Sequence, residues 1–300
     1  LSWNLGEAPL LFVVTPDEIL IYNNYETPQV IENGNLDPTA GIIETLSLTD
    51  GLVSQQLALK KYHRSLLESG EYWRQSMTRF NAQNRVDATL ISNLRIMRRT
   101  LINQISKRCD KSKEIITGVV HALLSRSIFI KYLEERKDSN GETVFPQDFY
   151  CNFMESAKWY TDVLNSKEAT YNLFLTLKDK FNGDTLQVSE IETEIITQDD
   201  LDELRTFILG NSELESRQLT LWPLYSFDII PIQLISSIYE LFFHLSDEED
   251  EKGTYYTPLH LVNLVMDEVY PWEGEYKDIS FFDPSCGSGI FLVEAYRRLV

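Results

Sequence analysis

The first 59 residues contain neither lysine nor arginine but eight acidic residues, so that segment has nothing with which to neutralise a phosphate backbone. Cysteine is scarce too: Cys109, Cys151 and Cys286 are far apart and form no CxxC pair. That spacing excludes a disulfide framework and a zinc ribbon, and it fits reduced thiols in a cytoplasmic protein. His63, His121, His244 and His260 follow no ligand spacing, so no metal site is expected. No apolar run approaches the roughly 20 residues of a membrane span, and the amino terminus lacks the charged-then-apolar layout of a signal peptide. A cytoplasmic protein with no membrane partner is the expectation. Neither GxGxxG nor GxxxxGK followed by Ser or Thr occurs, which removes the usual glycine-loop signatures for dinucleotides and triphosphates.

What is present is an ordinary composition over 300 residues, enough for two domains with a sizeable core. The net charge of −19 hides an asymmetry. Residues 60–140 hold 17 basic and 8 acidic residues, whereas 141–300 hold 10 basic and 30 acidic. One basic segment thus sits in an acidic chain, and such an asymmetry says more than the total. The chain opens without Met and stops within a helical pattern, so it reads as a piece of a longer protein.

Leu10-Leu11-Phe12-Val13-Val14, Thr15-Pro16-Asp17-Glu18 and Ile19-Leu20-Ile21-Tyr22 read as strand, turn and strand. A further strand is expected at Ile42–Leu46. Residues 1–59 are therefore expected to form a small β-containing element. From there to about residue 250 the pattern is helical. Val86, Leu90, Leu94, Met97, Leu101 and Ile105 put one apolar stripe on a single helix. Ile116, Val119, Val120, Leu123, Leu124, Phe129, Ile130 and Leu133 predict a second helix, central to a helical domain over 60–250. Further helices are expected around Phe149, Phe153 and Trp159, at Ala169–Phe181, from Asp199 to Gly210, and after Pro231. Leu186-Gln187-Val188 allows one short strand. The acidic run Ser246-Asp247-Glu248-Glu249-Asp250-Glu251-Lys252-Gly253 is the best candidate for a boundary.

After Gly253 the pattern changes. In Gly253-Thr254-Tyr255-Tyr256-Thr257-Pro258, Thr257 reads as an N-cap and Pro258 as the first helical residue. Free N–H groups at such an end suit a carboxylate or phosphate, although alone this is an ordinary helix start. Asp278-Ile279-Ser280-Phe281-Phe282 reads as a short buried strand entering Asp283-Pro284-Ser285-Cys286-Gly287-Ser288-Gly289 and then an apolar helix. Glycines in that loop leave room for a ligand against the backbone, and Asp283 at the strand's carboxyl end can accept from an amine or hydroxyl. By itself this is also compatible with a mere strand-to-helix turn. The expected fold class is α+β and mainly helical: the small β element, the helical domain, and over 253–300 the start of a doubly wound α/β domain.

Together, GTYYTP and DPSCGSGIFL resemble the N6-adenine DNA methyltransferase family, as found in type I modification subunits and in single-chain restriction-modification or phage-defence enzymes. Leu124-Ser125-Arg126-Ser127-Ile128-Phe129, Tyr132-Leu133-Glu134-Glu135-Arg136 and Pro231–Glu240 look like the helical segment ahead of that family's catalytic domain. The resemblance covers about a quarter of the chain, and residues 253–300 carry its diagnostic part. It implies S-adenosylmethionine as cofactor. Tyr256, Thr257 and Pro258 would lie at the methionine carboxylate, and Asp283, Pro284, Ser285, Cys286, Gly287, Ser288 and Gly289 would hold the methionine amine and backbone. Double-stranded DNA is the implied partner, with a specificity or nuclease subunit or domain beside it.

The family's catalytic motif, Asp or Asn followed by Pro-Pro and an aromatic residue, is absent from these 300 residues. This chain alone is therefore expected to be inactive. The competing readings are a methyltransferase of RNA, protein or a small molecule, and a non-enzymatic helical binding module. Arg95, Arg98, Arg99, Lys107, Arg108, Lys111 and Lys113 are candidate DNA contacts, with a solvated helix face as the plain alternative. An acidic first segment docked on the basic one would cancel that reading. The β element loosely resembles the nuclease-like domains ahead of such methylases, but Asp17 has no Glu-x-Lys partner and reads as a turn residue. Cys286 lacks a His partner and is expected to be a small loop residue rather than a nucleophile.

Overall fold

Val86, Leu90, Leu94, Met97, Leu101 and Ile105 are all buried along one side of α5 (Val86–Arg108) in the computed structural model, where spacings of three and four residues bring them to a single face. The structure describes residues 2–5, 8–29, 31, 36–48, 52–76, 78–81, 85–138, 140–181, 186–209, 225–230, 235, 257, 259–274, 279–286 and 289–299, without the side chains of residues 5, 52–55 and 87. The expected boundary run 246–253, the Pro231 helix apart from Ile235, and Gly210 fall outside these.

The amino-terminal part is α1 (Ser2–Leu5) followed by β1 (Leu10–Val14), β2 (Glu18–Asn23) and β3 (Ile42–Ser47) in an antiparallel sheet of that order. Leu10 pairs with Asn23 and Val14 with Ile19, so the β1–β2 turn holds Thr15-Pro16-Asp17. The Thr15 hydroxyl caps it, 3.0 Å from the Glu18 carbonyl, and Asp17 is an exposed turn residue, as expected. Gly41 has φ +79°, and a Cβ there would stand 3.0 Å from the Asn23 carbonyl, where β2 leaves the sheet, so glycine is required.

Short helices follow: α2 (Leu52–Leu59), α3 (Arg64–Glu68) and α4 (Glu71–Ser76). Ile21 of the sheet shares a core with Tyr62 and Tyr72, flanked by Trp73 and Phe80, so the sheet's hydrophobic contacts run past residue 59. Lys61 Nζ lies 2.6 Å from Glu44 Oε2. The acidic first segment thus meets the start of the basic one, well before Arg95.

The main core lies between α5, α6 (Lys113–Glu135), α7 (Tyr160–Val163), α8 (Lys167–Phe181), α9 (Glu190–Ile195) and α10 (Gln198–Ile208). Ser112 caps α6 by accepting the Ile115 N–H. Contrary to the sequence expectation, α6 is long and apolar enough to cross a membrane by length and composition alone. Polar residues such as Arg126 and Ser127 break up its linear pattern but are themselves buried, and α6 is the central helix of the core.

Two other expectations are corrected. No continuous helix runs from Phe149 to Trp159: a 3₁₀ turn at Phe149–Asn152 gives way to Ser156 at φ 63°. The aromatics there pack on one another instead, with Phe145 and Phe149 stacked at 4.6 Å. Leu186-Gln187-Val188 is a 3₁₀ residue followed by irregular backbone rather than a strand, and the Gln187 carbonyl accepts from the Arg126 guanidinium. Two carboxyl-terminal helices, α11 (Leu259–Val269) and α12 (Ile290–Leu299), complete the described chain.

Candidate cofactor site

Val262, Met266 and Tyr270 pack against Ile290 and Ala295 in a core separate from that of the helical body. Near the far end of α12, Arg298 reaches across to the end of α11. Its Nη1 donates to the Tyr270 carbonyl at 2.8 Å. Its Nη2 lies 2.8 Å from Asp267 Oδ1, an ion pair without hydrogen-bond alignment, and its Cζ sits 5.0 Å from the Trp272 ring centroid. Because the carboxyl-terminal ends are joined and the two helices pack along their length, they run in the same direction. Both amino-terminal ends therefore fall at one end of the pair.

Those ends carry the described residues of the two stretches singled out in the sequence. Thr257, half-buried, stands two residues before Leu259, the first residue of α11. Before α12, Asp283 Oδ1 accepts the Ser285 N–H at 3.0 Å, an Asx turn that starts the loop. The Gly289 N–H donates to the Cys286 carbonyl at 2.7 Å, and the Gly289 carbonyl accepts the Val293 N–H at 2.9 Å, which opens α12. Gly289 has φ +80° with nothing within 4 Å of where a Cβ would stand. Asp283 is half-buried, while Pro284, Ser285 and Cys286 are exposed. Tyr256, Pro258, Gly287 and Ser288 lie outside the described residues.

The expected buried strand before this loop is not present among the described residues. Residues 279–282 form no ladder, and Phe282 is 89 % exposed. Strand geometry depends on pairing, and no described strand lies beside them. Phe281 packs edge-on against Tyr270 at 4.9 Å, which ties the lead-in to the α11 end.

The upstream motifs at Leu124–Phe129 and Tyr132–Arg136 are architectural. Arg126 and Glu192 form a fully buried pair at 2.7 Å, and Ser127 Oγ lies 2.8 Å from the Tyr160 hydroxyl. Glu134 accepts the Tyr160 N–H. Glu135 Oε2 accepts the Phe227 N–H at 2.7 Å, and Arg136 Nη1 donates to the Asp228 carbonyl at 2.8 Å. Asn4 accepts the Ser226 N–H at 3.0 Å, and Asn93 donates to the Tyr225 hydroxyl at 2.6 Å. Polar groups from α1, from α5 and from the end of α6 thus grip residues 225–228, a convergence that sequence spacing cannot reveal.

The candidate DNA contacts divide. Arg95, Arg99 and Lys107 are exposed on α5, and Lys113 is exposed at the start of α6. Arg98 is buried and donates to His121. Arg108 pairs with Asp200, which also accepts from the Thr197 N–H and hydroxyl at the start of α10. Lys111 lies 3.6 Å from Glu194. Among the described residues no three His, Cys, Asp or Glu side chains gather as a metal site would require.

Comparison with known proteins gives one result. Residues 231–300 match the family described as N-6 DNA methylase, a stretch that begins before the acidic run and contains both halves of the site. No curated protein and no solved structure matches the chain significantly. That match supports an N6-adenine DNA methyltransferase family for residues 231–300.

Proposed function

We propose that this chain supplies the front half of an S-adenosylmethionine site in a DNA adenine N6-methyltransferase of a restriction-modification or related phage-defence system. The observation that carries the proposal is the placement of Thr257, of Asp283–Cys286 and of Gly289 at the same end of two parallel helices. The donor set fits the methionine part of the cofactor. Two helix amino termini offer N–H groups and partial positive charge to a carboxylate. Asp283 offers a carboxylate to an ammonium, and Gly289 keeps side-chain bulk off the loop.

Bound S-adenosylmethionine would supply an electrophilic sulfonium methyl. The residues of this chain bind and orient it, which is where much of the rate advantage of a bimolecular transfer arises. They do not include the Asp/Asn-Pro-Pro-aromatic motif that the family uses on the target base, so transfer by these 300 residues alone is not expected. The setting is the cytoplasm, with double-stranded DNA as partner, reached partly through the exposed face of Arg95, Arg99, Lys107 and Lys113, and with a specificity or nuclease component alongside.

The test is calorimetric titration of S-adenosylmethionine into the full-length protein carrying this chain. Asp283→Ala and Thr257→Ala should each weaken binding, the former by roughly 10- to 100-fold, as expected for loss of a charge-assisted hydrogen bond. Affinity unchanged in both variants would sink the reading.

A further inference from the structure

Two parallel helices packed side by side place two partial negative charges together at their carboxyl-terminal ends and two partial positive charges together at the other. Each end needs a compensating group. At the carboxyl-terminal end that group is Arg298, whose side chain has no exposed surface although its ion-pair partner Asp267 is 60 % exposed. The guanidinium satisfies the Tyr270 carbonyl, left without an intrahelical partner where α11 stops, and it is held over the Trp272 ring. A rigid fork can meet carbonyl, carboxylate and ring face at once; an ammonium cannot.

We propose that Arg298 is a positioning residue for the cofactor site: by buckling the carboxyl-terminal ends of α11 and α12, it aligns the amino-terminal ends where Thr257 and the Asp283–Gly289 loop stand. It touches no ligand and acts through the two helices. This inference rests on the cofactor reading above. The positive ends it holds together are left for an anionic group, so the buckle and the methionine carboxylate compensate opposite ends of one helix pair.

The experiment uses the full-length protein with Cys109, Cys151 and every other cysteine except Cys286 replaced by Ser. Spin labels go on the exposed Cys286 and on a cysteine replacing the exposed His260, in the first turn of α11. Pulsed electron resonance should give a narrow distance distribution for the wild-type background, a broad one for Arg298→Ala, and an intermediate one for Arg298→Lys. Asp267→Asn, at a largely exposed position, provides a variant that keeps the fold and should broaden the distribution slightly. In unlabelled protein, S-adenosylmethionine affinity should fall in the same order, by about tenfold for Arg298→Ala, as misalignment of a binding constellation would produce. The melting of the main helical body should stay unchanged.

An unbroadened distribution in Arg298→Ala overturns the inference whether or not the cofactor binds. So does a broadened distribution with unchanged affinity. Wild-type protein that binds no S-adenosylmethionine overturns the cofactor reading instead, and the distance measurement then decides by itself whether Arg298 aligns the helices.

Discussion

Arg126 is fully buried, yet it carries a charge. Glu192 Oε1 lies 2.7 Å from its Nη1 and Oε2 3.2 Å from its Nη2, and the Phe174 ring covers its Cζ at 4.5 Å. The Tyr171 hydroxyl also donates to Glu192 at 3.3 Å. A buried ion pair contributes little net stability compared with apolar residues, but stripping away one partner leaves an uncompensated charge in the core. Glu192→Ala should therefore lower the unfolding free energy by about 3–5 kcal/mol in urea titration, and Arg126→Met with Glu192→Leu should recover most of that loss. In the sequence Arg126 stands out only within a family-like motif. Its partner lies 66 residues away, and nothing in local periodicity links them.

At the scale of the element, α5 shows which half of a helix can be read in advance. Its apolar stripe is legible because burial imposes a period of 3.6 residues on sequence. Its polar face is not, since a basic residue looks the same whether it meets water, a carboxylate or a phosphate. Arg98 and Arg108 are committed within the fold, whereas Arg95, Arg99 and Lys107 face outward. If the outward face meets DNA, Arg95→Ala, Arg99→Ala and Lys107→Ala together should flatten the dependence of log affinity on log salt by about 0.9 for each phosphate no longer neutralised. A slope identical to wild type in filter binding across a salt series would show that the face is solvated only. Residues 279–282 illustrate the converse. Apolar content there reads as strand, but a strand exists only where a neighbour completes its ladder.

Across the whole molecule, the buried tyrosines set a limit in alkali. Burial pushes Tyr150 and Tyr160 well above the ordinary phenol range, and likewise Tyr171 and Tyr225. Burial works to lower the pKa of Lys131, but Glu134 and Glu135 beside it raise it overall. All five groups hold their protons more tightly folded than unfolded. Their contribution is complete below the unfolded values, near pH 10, and is lost as pH rises above them. Stability should thus fall steeply above about pH 10, and these tyrosines should ionise together with unfolding when tyrosinate absorbance and circular dichroism are followed in one titration.

By itself the sequence determined the helical character, the amino-terminal hairpin, and the two stretches that carry the candidate site, because each rests on a local period, a turn residue or a motif. Tertiary structure alone decided the rest. It made α6 the centre of the core with Arg126 and Glu192 paired inside it, buried Arg98 and paired Arg108 and Lys111 with Asp200 and Glu194, and used Arg298 to bring Thr257 and the Asp283 loop to one end of a helix pair. Those outcomes depend on contacts between residues distant in the chain, which no local pattern encodes.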